Sequence, residues 1–440
     1  MIKINKKVVL TYAWGTPNAG DHALTIGAIE LLIQHIPQEH ITVISRFANK
    51  NDEKDPTSDL KMKYPNITIV ESPFKYSRKF FLDRFLEKLH GVFILSGIFL
   101  FPKLSLKIFK KNKALDEISN AKLVLCNGGN LFYWNDHRKS LPRLLALSMP
   151  FIMAKKLDIP YAFLPQTMGP IENKFLLIFF VNLLNSSQFI SFRDTNSLRY
   201  MKQYIDERKT EIDLLPDLAF IVSNEYINLK ESVRNTLESL GFNRDDKFIA
   251  ITLRASKLGD PEGLTGGNVD RESIEYVIKY VRDIVVPIAE QHNLNLLVVE
   301  QTDVDNETSI LFKNLIEKQF SNKIIHVSNR DPLFLSAIYL ESECLVGMRL
   351  HSLIFALRVH KPAFGIYLKQ FGPKTPGIYD SLDLNEYCID LDEVSTQDAC
   401  LKLDHMLINK IEIKDKLSNT LIKQINMEHE LISRNVNEGC

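Results

Sequence analysis

Along the chain, short runs of apolar and β-branched residues alternate with longer stretches whose apolar positions recur at helical spacing. Short apolar runs bounded by turn residues fit strands buried on both faces, and amphipathic stretches fit the helices that cover them. In the first half, the strand candidates are Val8–Tyr12, Ile41–Ile44, Ile67–Val70, Leu123–Asn127, Tyr161–Leu164 and Phe189–Phe192. Helix candidates between them include His22–His35, Ser140–Lys156 and Asn173–Asn185. The theme then restarts, with strands expected at Phe248–Leu253, Leu294–Val299, Ile324–Val327, Cys344–Gly347 and Ala363–Ile366. Helices are expected there at Arg271–Gln291, Glu307–Gln319 and Pro332–Glu341. A polar stretch, Asn224–Lys247 with a helical Leu229–Leu240 inside it, separates the two series. The pattern predicts an α/β chain with two doubly wound Rossmann-like domains, 1–223 and 224–400, followed by a charge-rich helical segment over 401–440. Open parallel sheets bind ligands at the carboxyl ends of their strands, where helix N-termini present unpaired N–H groups. Two such domains facing a cleft would place the chemistry in the loops that follow the strands.

Composition narrows the function. The 440 residues carry 54 Lys+Arg against 54 Asp+Glu, with 45% hydrophobic side chains. That balance argues against a disordered chain and lacks the overall basic surplus on which nucleic-acid affinity rests. Five cysteines without a C-x-x-C pair argue against a zinc knuckle or a redox dithiol, and predict reduced, mostly buried thiols. The first fifteen residues read as a buried strand rather than a signal peptide. No window reaches the 18 or more apolar residues needed to span a bilayer. A cytoplasmic protein is expected.

The strand-end loops hold the candidate chemistry. The first, Trp14 to Leu24, has Gly15 and Gly20 for tight turns, Asp21 as a helix cap or an anion contact, and Asn18 and His22 as ligand candidates. It matches neither the Walker nor the Rossmann spacing. The second, Cys126 to Phe132, contains Gly128, Gly129 and Asn130, where backbone passes close to a neighbour and a carboxamide offers donor and acceptor. The third, Leu164 to Pro170, offers Gln166. In the fourth, Arg193 follows a strand and is either pinned by Asp194 or available to an anion, while Asp217 reads as a turn or cap residue. In the second half, Arg254 ends a strand, and Gly347-Met-Arg-Leu-His-Ser352 carries Arg349 and His351 two residues apart before an apolar helix. An arginine there supplies a fixed cation shaped for carboxylate or phosphate, and a histidine beside it moves protons near neutral pH. Lys369 and Lys374, in the Gly/Pro-rich loop after the last strong strand, read as solvated.

Taken in order, the Gly20-Asp21 loop, Gly128-Gly129, Gly169-Pro170, Arg193-Asp194 and above all Gly347-Met-Arg-Leu-His-Ser352 resemble the polysaccharide pyruvyl transferase family. The resemblance runs from residue 14 to about 380. It implies a GT-B-like fold of two domains. It also implies transfer of a pyruvyl group from phosphoenolpyruvate to two hydroxyls of a surface-glycan sugar, closing a cyclic ketal. The family's Arg-Leu-His motif falls on Arg349, Leu350 and His351, and its Arg-Asp motif on Arg193. The chain departs at Trp-Gly-Thr-Pro before Asn18 and at Gln166-Thr167, which bears on the acceptor rather than the reaction class. Under this reading His351 and Arg349 are catalytic, and Arg193, Arg254, Arg349 and Leu350 hold the donor. Asn18, Gly20, Asp21, His22, Gly129, Asn130 and Gln166 lie on the acceptor side or in the cleft. No metal and no cofactor are expected beyond phosphoenolpyruvate as donor substrate. The alternatives are a GT-B glycosyltransferase using a nucleotide sugar, a non-catalytic glycan binder, and a transferase with a small-molecule acceptor.

One segment stands apart. Residues 75–113 carry ten Lys/Arg against two acids, around the apolar run Gly91–Phe101. The run is too short to cross a bilayer. It suits either the surface of an anionic membrane, which a lipid-linked glycan acceptor would share, or a buried helix with solvated flanks.

Overall fold

The computed structural model describes residues 7–13, 18–45, 57–73, 81–134, 141–255, 271–369, 372 and 374–437. Several expectations fall partly outside these residues: 14–17 of the first loop, 75–80 of the basic segment, Ser140 at a helix start, and Gln370, Phe371 and Pro373 of the late loop.

The chain forms two compact units. The first comprises Met1–Thr16, Leu24–Ile221 and Ile425–Cys440, and the second comprises Pro17–Ala23 and Val222–Gln424. In chain order the first half contains β1 (Val8–Ala13), α1 (Ala19–Ile33), β2 (Ile41–Ser45), α2 (Ser58–Lys63) and β3 (Thr68–Glu71). Three helices follow, α3 (Phe81–Leu100), α4 (Pro102–Ile108) and α5 (Lys113–Ser119), then β4 (Leu123–Cys126), β5 (Gly129–Trp134), α6 (Leu141–Lys156) and β6 (Tyr161–Ile171). The half closes with α7 (Lys174–Leu184), β7 (Phe189–Phe192), α8 (Thr195–Lys202) and β8 (Glu211–Leu214). Its strands pair in the order β3-β2-β1-β4-β6-β7-β8, with β5 added beside β6, and every pairing is parallel.

The second half runs through α9 (Lys230–Ser239), β9 (Phe248–Thr252), α10 (Arg271–Gln291), β10 (Asn295–Glu300), α11 (Asn306–Ile316), β11 (Ile324–Ser328) and α12 (Pro332–Glu341). It continues with β12 (Cys344–Gly347), α13 (Leu350–Arg358), β13 (Ala363–Tyr367), α14 (Lys374–Ser381), β14 (Cys388–Asp390), α15 (Thr396–Ile408) and α16 (Lys410–Asn437). Its sheet is parallel, in the order β11-β10-β9-β12-β13-β14. Central strands such as β1 and β9 are buried at every position, because helices cover both faces, and so they read as unbroken apolar runs. The charge-rich helical segment expected over 401–440 consists of two helices that part at Asn409, the C-cap of α15.

The third expected loop is not a loop. Leu164 to Pro170 continues β6, which pairs with β5 from Gly129↔Gln166 to Trp134↔Ile171. Pro165 lacks an N–H for the ladder, and the strand accommodates it with a bulge: Phe163–Gln166 spans one residue more than the Ile190–Phe192 segment of β7 opposite.

Candidate active site

In both sheets the strand order reverses once, between β1 and β4 in the first and between β9 and β12 in the second. Such switch points are where open α/β sheets bind ligands. In the second sheet Thr252 pairs with Gly347, and the Met348 N–H donates to the Thr252 carbonyl at 2.9 Å. Arg254 and Arg349 each come two residues after that pair, so the two arginines leave adjacent strands side by side at the switch point. Arg254 is 7% exposed.

Arg349 occupies the N-cap position of α13, and His351 lies in that helix's first turn, where free N–H groups and the helix dipole favour an anion. Acid from the neighbouring loop holds the guanidinium. Arg349 Nε donates to Asp305 Oδ2 at 2.8 Å and to Oδ1 at 3.0 Å, and Nη2 makes a further short contact with Oδ1. Thr302 Oγ1 donates to Asp305 Oδ2 at 3.2 Å. The side chains of Arg349 and Asp305 are 14% and 2% exposed. Arg349 Nη1 has no partner among the described residues. Leu350 is buried, and Ser352 Oγ donates to Gln301 Oε1. Thr302 and Asp305 were not expected from the sequence. They follow β10 directly, so the rule that led to the other strand-end loops applies to them equally.

Asn18 and the first turn of α1 belong to the same unit. Asn18 caps the helix: its Oδ1 accepts the Gly20 N–H at 3.0 Å, and its Nδ2 donates to Asp21 Oδ2 at 3.2 Å. Asp21 therefore sits inside the first turn rather than at the cap, because the helix starts three residues earlier than its apolar periodicity indicates. Gly20 lies against His351. A Cβ added at Gly20 would stand 1.9 Å from His351 Nδ1, so no side chain fits there without moving the imidazole. His22 is buried.

At the switch point of the first sheet, the carboxamides of Asn127, Asn130 and Gln166 come after or within β4, β5 and β6. Gln166 is fully buried, with Nε2 donating to the Asn127 carbonyl at 2.5 Å. Asn127 Nδ2 donates to Thr25 Oγ1 at 3.2 Å. The side-chain oxygens of all three carboxamides are buried without a hydrogen-bond partner among the described residues. A buried carbonyl left unpaired is costly, so these three oxygens call for donors that the described residues do not supply. Gly129 has φ 145°, a backbone region that favours glycine, and starts β5.

Arg193 is set differently. It is 2% exposed. Its Nε donates to Thr167 Oγ1 at 2.8 Å, and its Nη1 pairs with Asp217 Oδ2 at 2.5 Å. Its partner is thus Asp217, not Asp194. Asp217 also caps the turn after it, accepting the Ala219 N–H at 2.9 Å. Asp194 accepts from Thr167 Oγ1, Ser197 Oγ and the Ser197 N–H, each at 2.8 Å. Burial pushes the Asp194 carboxyl up, against the pull of those bonds and of Arg193. Glu428 of α16 lies near this group, 1% exposed, with neither carboxylate oxygen bonded among the described residues. Burial, with Asp217 close by, pushes its carboxyl well above the usual range. Lys369 is exposed and pairs with Glu393. Among the described residues, no group of three or more His, Cys, Asp or Glu is placed to hold a metal ion.

The family model for polysaccharide pyruvyl transferase matches residues 18–370. The chain belongs to that family. The span matched by the pyruvyl transferase model starts at Asn18 and takes in every candidate site residue named above. No curated protein matches the chain in sequence. Among solved structures, the chain is similar to a UDP-GlcNAc 2-epimerase from Neisseria meningitidis bound to UDP-GlcNAc, at 12% identity and a TM-score of 0.60, over 98% of this chain and 100% of that one. A glycosyltransferase from Rickettsia africae matches at 13% identity and a TM-score of 0.58, over 99% and 100% of the two chains. HepE from Anabaena in complex with UDP matches at 11% identity and a TM-score of 0.56, over 98% of each. These likenesses establish the fold as GT-B-like, two parallel-sheet α/β domains.

Proposed function

We propose that the protein transfers the pyruvyl group of phosphoenolpyruvate to two hydroxyls of a sugar in a cell-surface polysaccharide precursor, forming a cyclic ketal. Family membership supports a pyruvyl transferase acting in polysaccharide synthesis. The observation that carries the donor assignment is the pair Arg254 and Arg349 at one switch point, with His351 in the first turn of the following helix. Phosphoenolpyruvate is a small, highly charged enol ester. Its carboxylate and phosphate call for two fixed cations, and guanidinium forks suit both groups.

The reaction requires a proton delivered to the methylene carbon, attack of one hydroxyl on the adjacent carbon, and departure of phosphate as the carbon–oxygen bond breaks. A second hydroxyl then attacks the same carbon and closes the ring. Of the two hydroxyl protons released, one balances the proton placed on carbon and the other leaves with phosphate. In this reading His351 moves a proton. Arg349, held along one edge by Asp305, turns its remaining nitrogen to the donor and offsets charge on the departing phosphate. Asn127, Asn130 and Gln166 accept hydrogen bonds from acceptor hydroxyls. Arg193 orders the strand end beneath them.

The test is phosphate release from phosphoenolpyruvate across a panel of glycan acceptors, with product mass measured. A gain of one ketal-linked pyruvate supports the reading, together with a turnover loss of about 10²–10⁴-fold in His351→Ala. The fold neighbours bound to UDP or a UDP-sugar define the competing outcome. Thermal stabilisation and turnover with a nucleotide sugar, and none with phosphoenolpyruvate, would replace pyruvyl transfer with glycosyl transfer.

A further inference from the structure

Helices α3 and α4 form a hairpin on the first unit. Gly97 allows the close approach, since a Cβ there would lie 2.7 Å from Ser105 Oγ, which itself donates to the Phe101 carbonyl at 2.9 Å. The inward side of α3 places Ile94 and Ile98 in the core. The outward side is apolar as well: Phe93, Phe99, Leu100, Phe101, Leu104 and Ile108 are 50–63% exposed. On α3, Phe93 and Leu100 lie seven apart, and on α4 and its N-cap, Phe101, Leu104 and Ile108 lie three and four apart, so each presents a stripe rather than scattered single residues.

Charge indicates what covers the stripe. Residues 91–113 contain five lysines, at 103, 107, 110, 111 and 113, and no Asp or Glu. Lys103 and Lys107 are exposed beside Leu104 and Ile108, and Lys156 Nζ lies over the Phe99 ring, 5.1 Å from its centroid. Protein interfaces are depleted in lysine at their centres, and a second copy of this hairpin would set its lysines against identical ones. An anionic bilayer answers both features at once: phosphates meet the ammonium groups, and the aromatic and aliphatic side chains enter at headgroup level. No helix among the described residues is long and apolar enough to cross a membrane. The first half of α3 carries Asp83, Arg84, Glu87 and Lys88.

We propose that the α3–α4 hairpin seats the protein on the surface of an anionic membrane. The inference stands independently of pyruvyl transfer. Flotation of the full chain with vesicles containing phosphatidylglycerol, against vesicles of phosphatidylcholine alone, tests it. Wild type should float with the anionic vesicles and less so as salt is raised. Phe101→Glu with Leu104→Glu should cut the bound fraction about tenfold, and Lys103→Gln with Lys107→Gln and Lys110→Gln should weaken the salt-sensitive part. All of these side chains are exposed, so the melting temperature should hold, and the lysine variant gives a second readout if the first melts early. The proposal fails if wild type stays in solution, or if both variants bind as wild type does. It also fails if light scattering shows a dimer that Phe101→Glu dissociates while no vesicle binding occurs, which would make the face an interface between copies.

Discussion

Arg193 and Arg349 look alike in the sequence: each follows a parallel strand and precedes a helix. In the folded chain they are opposites. Arg193 is enclosed, with Asp217 and Thr167 on its nitrogens and a second tier formed by Asp194 and Ser197. Arg349 is clasped along one edge by Asp305 and keeps a nitrogen without a partner among the described residues. A fully enclosed ion pair fixes structure, since removing either partner strands a charge in low dielectric. A half-held guanidinium stays pre-oriented and can still donate to an anion through its remaining nitrogen. The placement of the nearest acid therefore separates the two roles, and the arginine itself does not.

Three substitutions bear on that contrast. Arg193→Ala should produce the largest loss, about 3–5 kcal/mol in a urea melt, because Asp217 is left buried and unpaired. A variant that melts like wild type but shows a raised KM for phosphoenolpyruvate would move Arg193 to the donor. Gly20→Ala probes the other region, where the added methyl collides with His351. Turnover should fall on the order of 10²-fold, the usual result of a displacement of about 1 Å at a reacting group, with little change in melting. Unchanged turnover would show that the packing of His351 against Gly20 is irrelevant to chemistry. Glu428→Gln should give the smallest effect, and one that depends on pH. The folded state holds this carboxyl protonated above its ordinary value of 4.5, so it binds more protons than the unfolded chain. Its contribution is present below that value and declines as pH rises toward the folded-state value. The glutamine variant lacks this decline, so its stability should gain on wild type by about 1–3 kcal/mol between acid and neutral pH, read from paired melts. Parallel curves for the two proteins would show that Glu428 titrates normally.

The central strands were legible because burial on both faces leaves an unbroken apolar run, as at β7 and β12. The edge strands β8 and β14 were not, although β3 and β11 at the opposite edges were. Glu211–Leu214 is half-exposed and carries two acids, and Cys388–Asp390 spans only three residues. β5 was hidden by Gly128-Gly129, which reads as a loop. Strand-end logic singled out Arg349, His351 and Gly20, whereas the pairing of each arginine with its acid was not legible. Asp217 and Asp305 lie 24 and 44 residues from their partners in sequence. Glu428 looks like one more polar position on an amphipathic helix, and only tertiary packing buries it.

The surplus residue that β6 carries around Pro165 also governs orientation beyond it. Side chains alternate sides along a strand, so a one-residue excess reverses which side every later residue occupies relative to β7. Deleting Pro165 would leave the neighbouring strands paired yet turn Gln166 and Met168 together to the opposite face, taking the carboxamide away from the Asn127 carbonyl it now meets. Lengthening or shortening the chain at this point is therefore a more severe change than any single replacement within it.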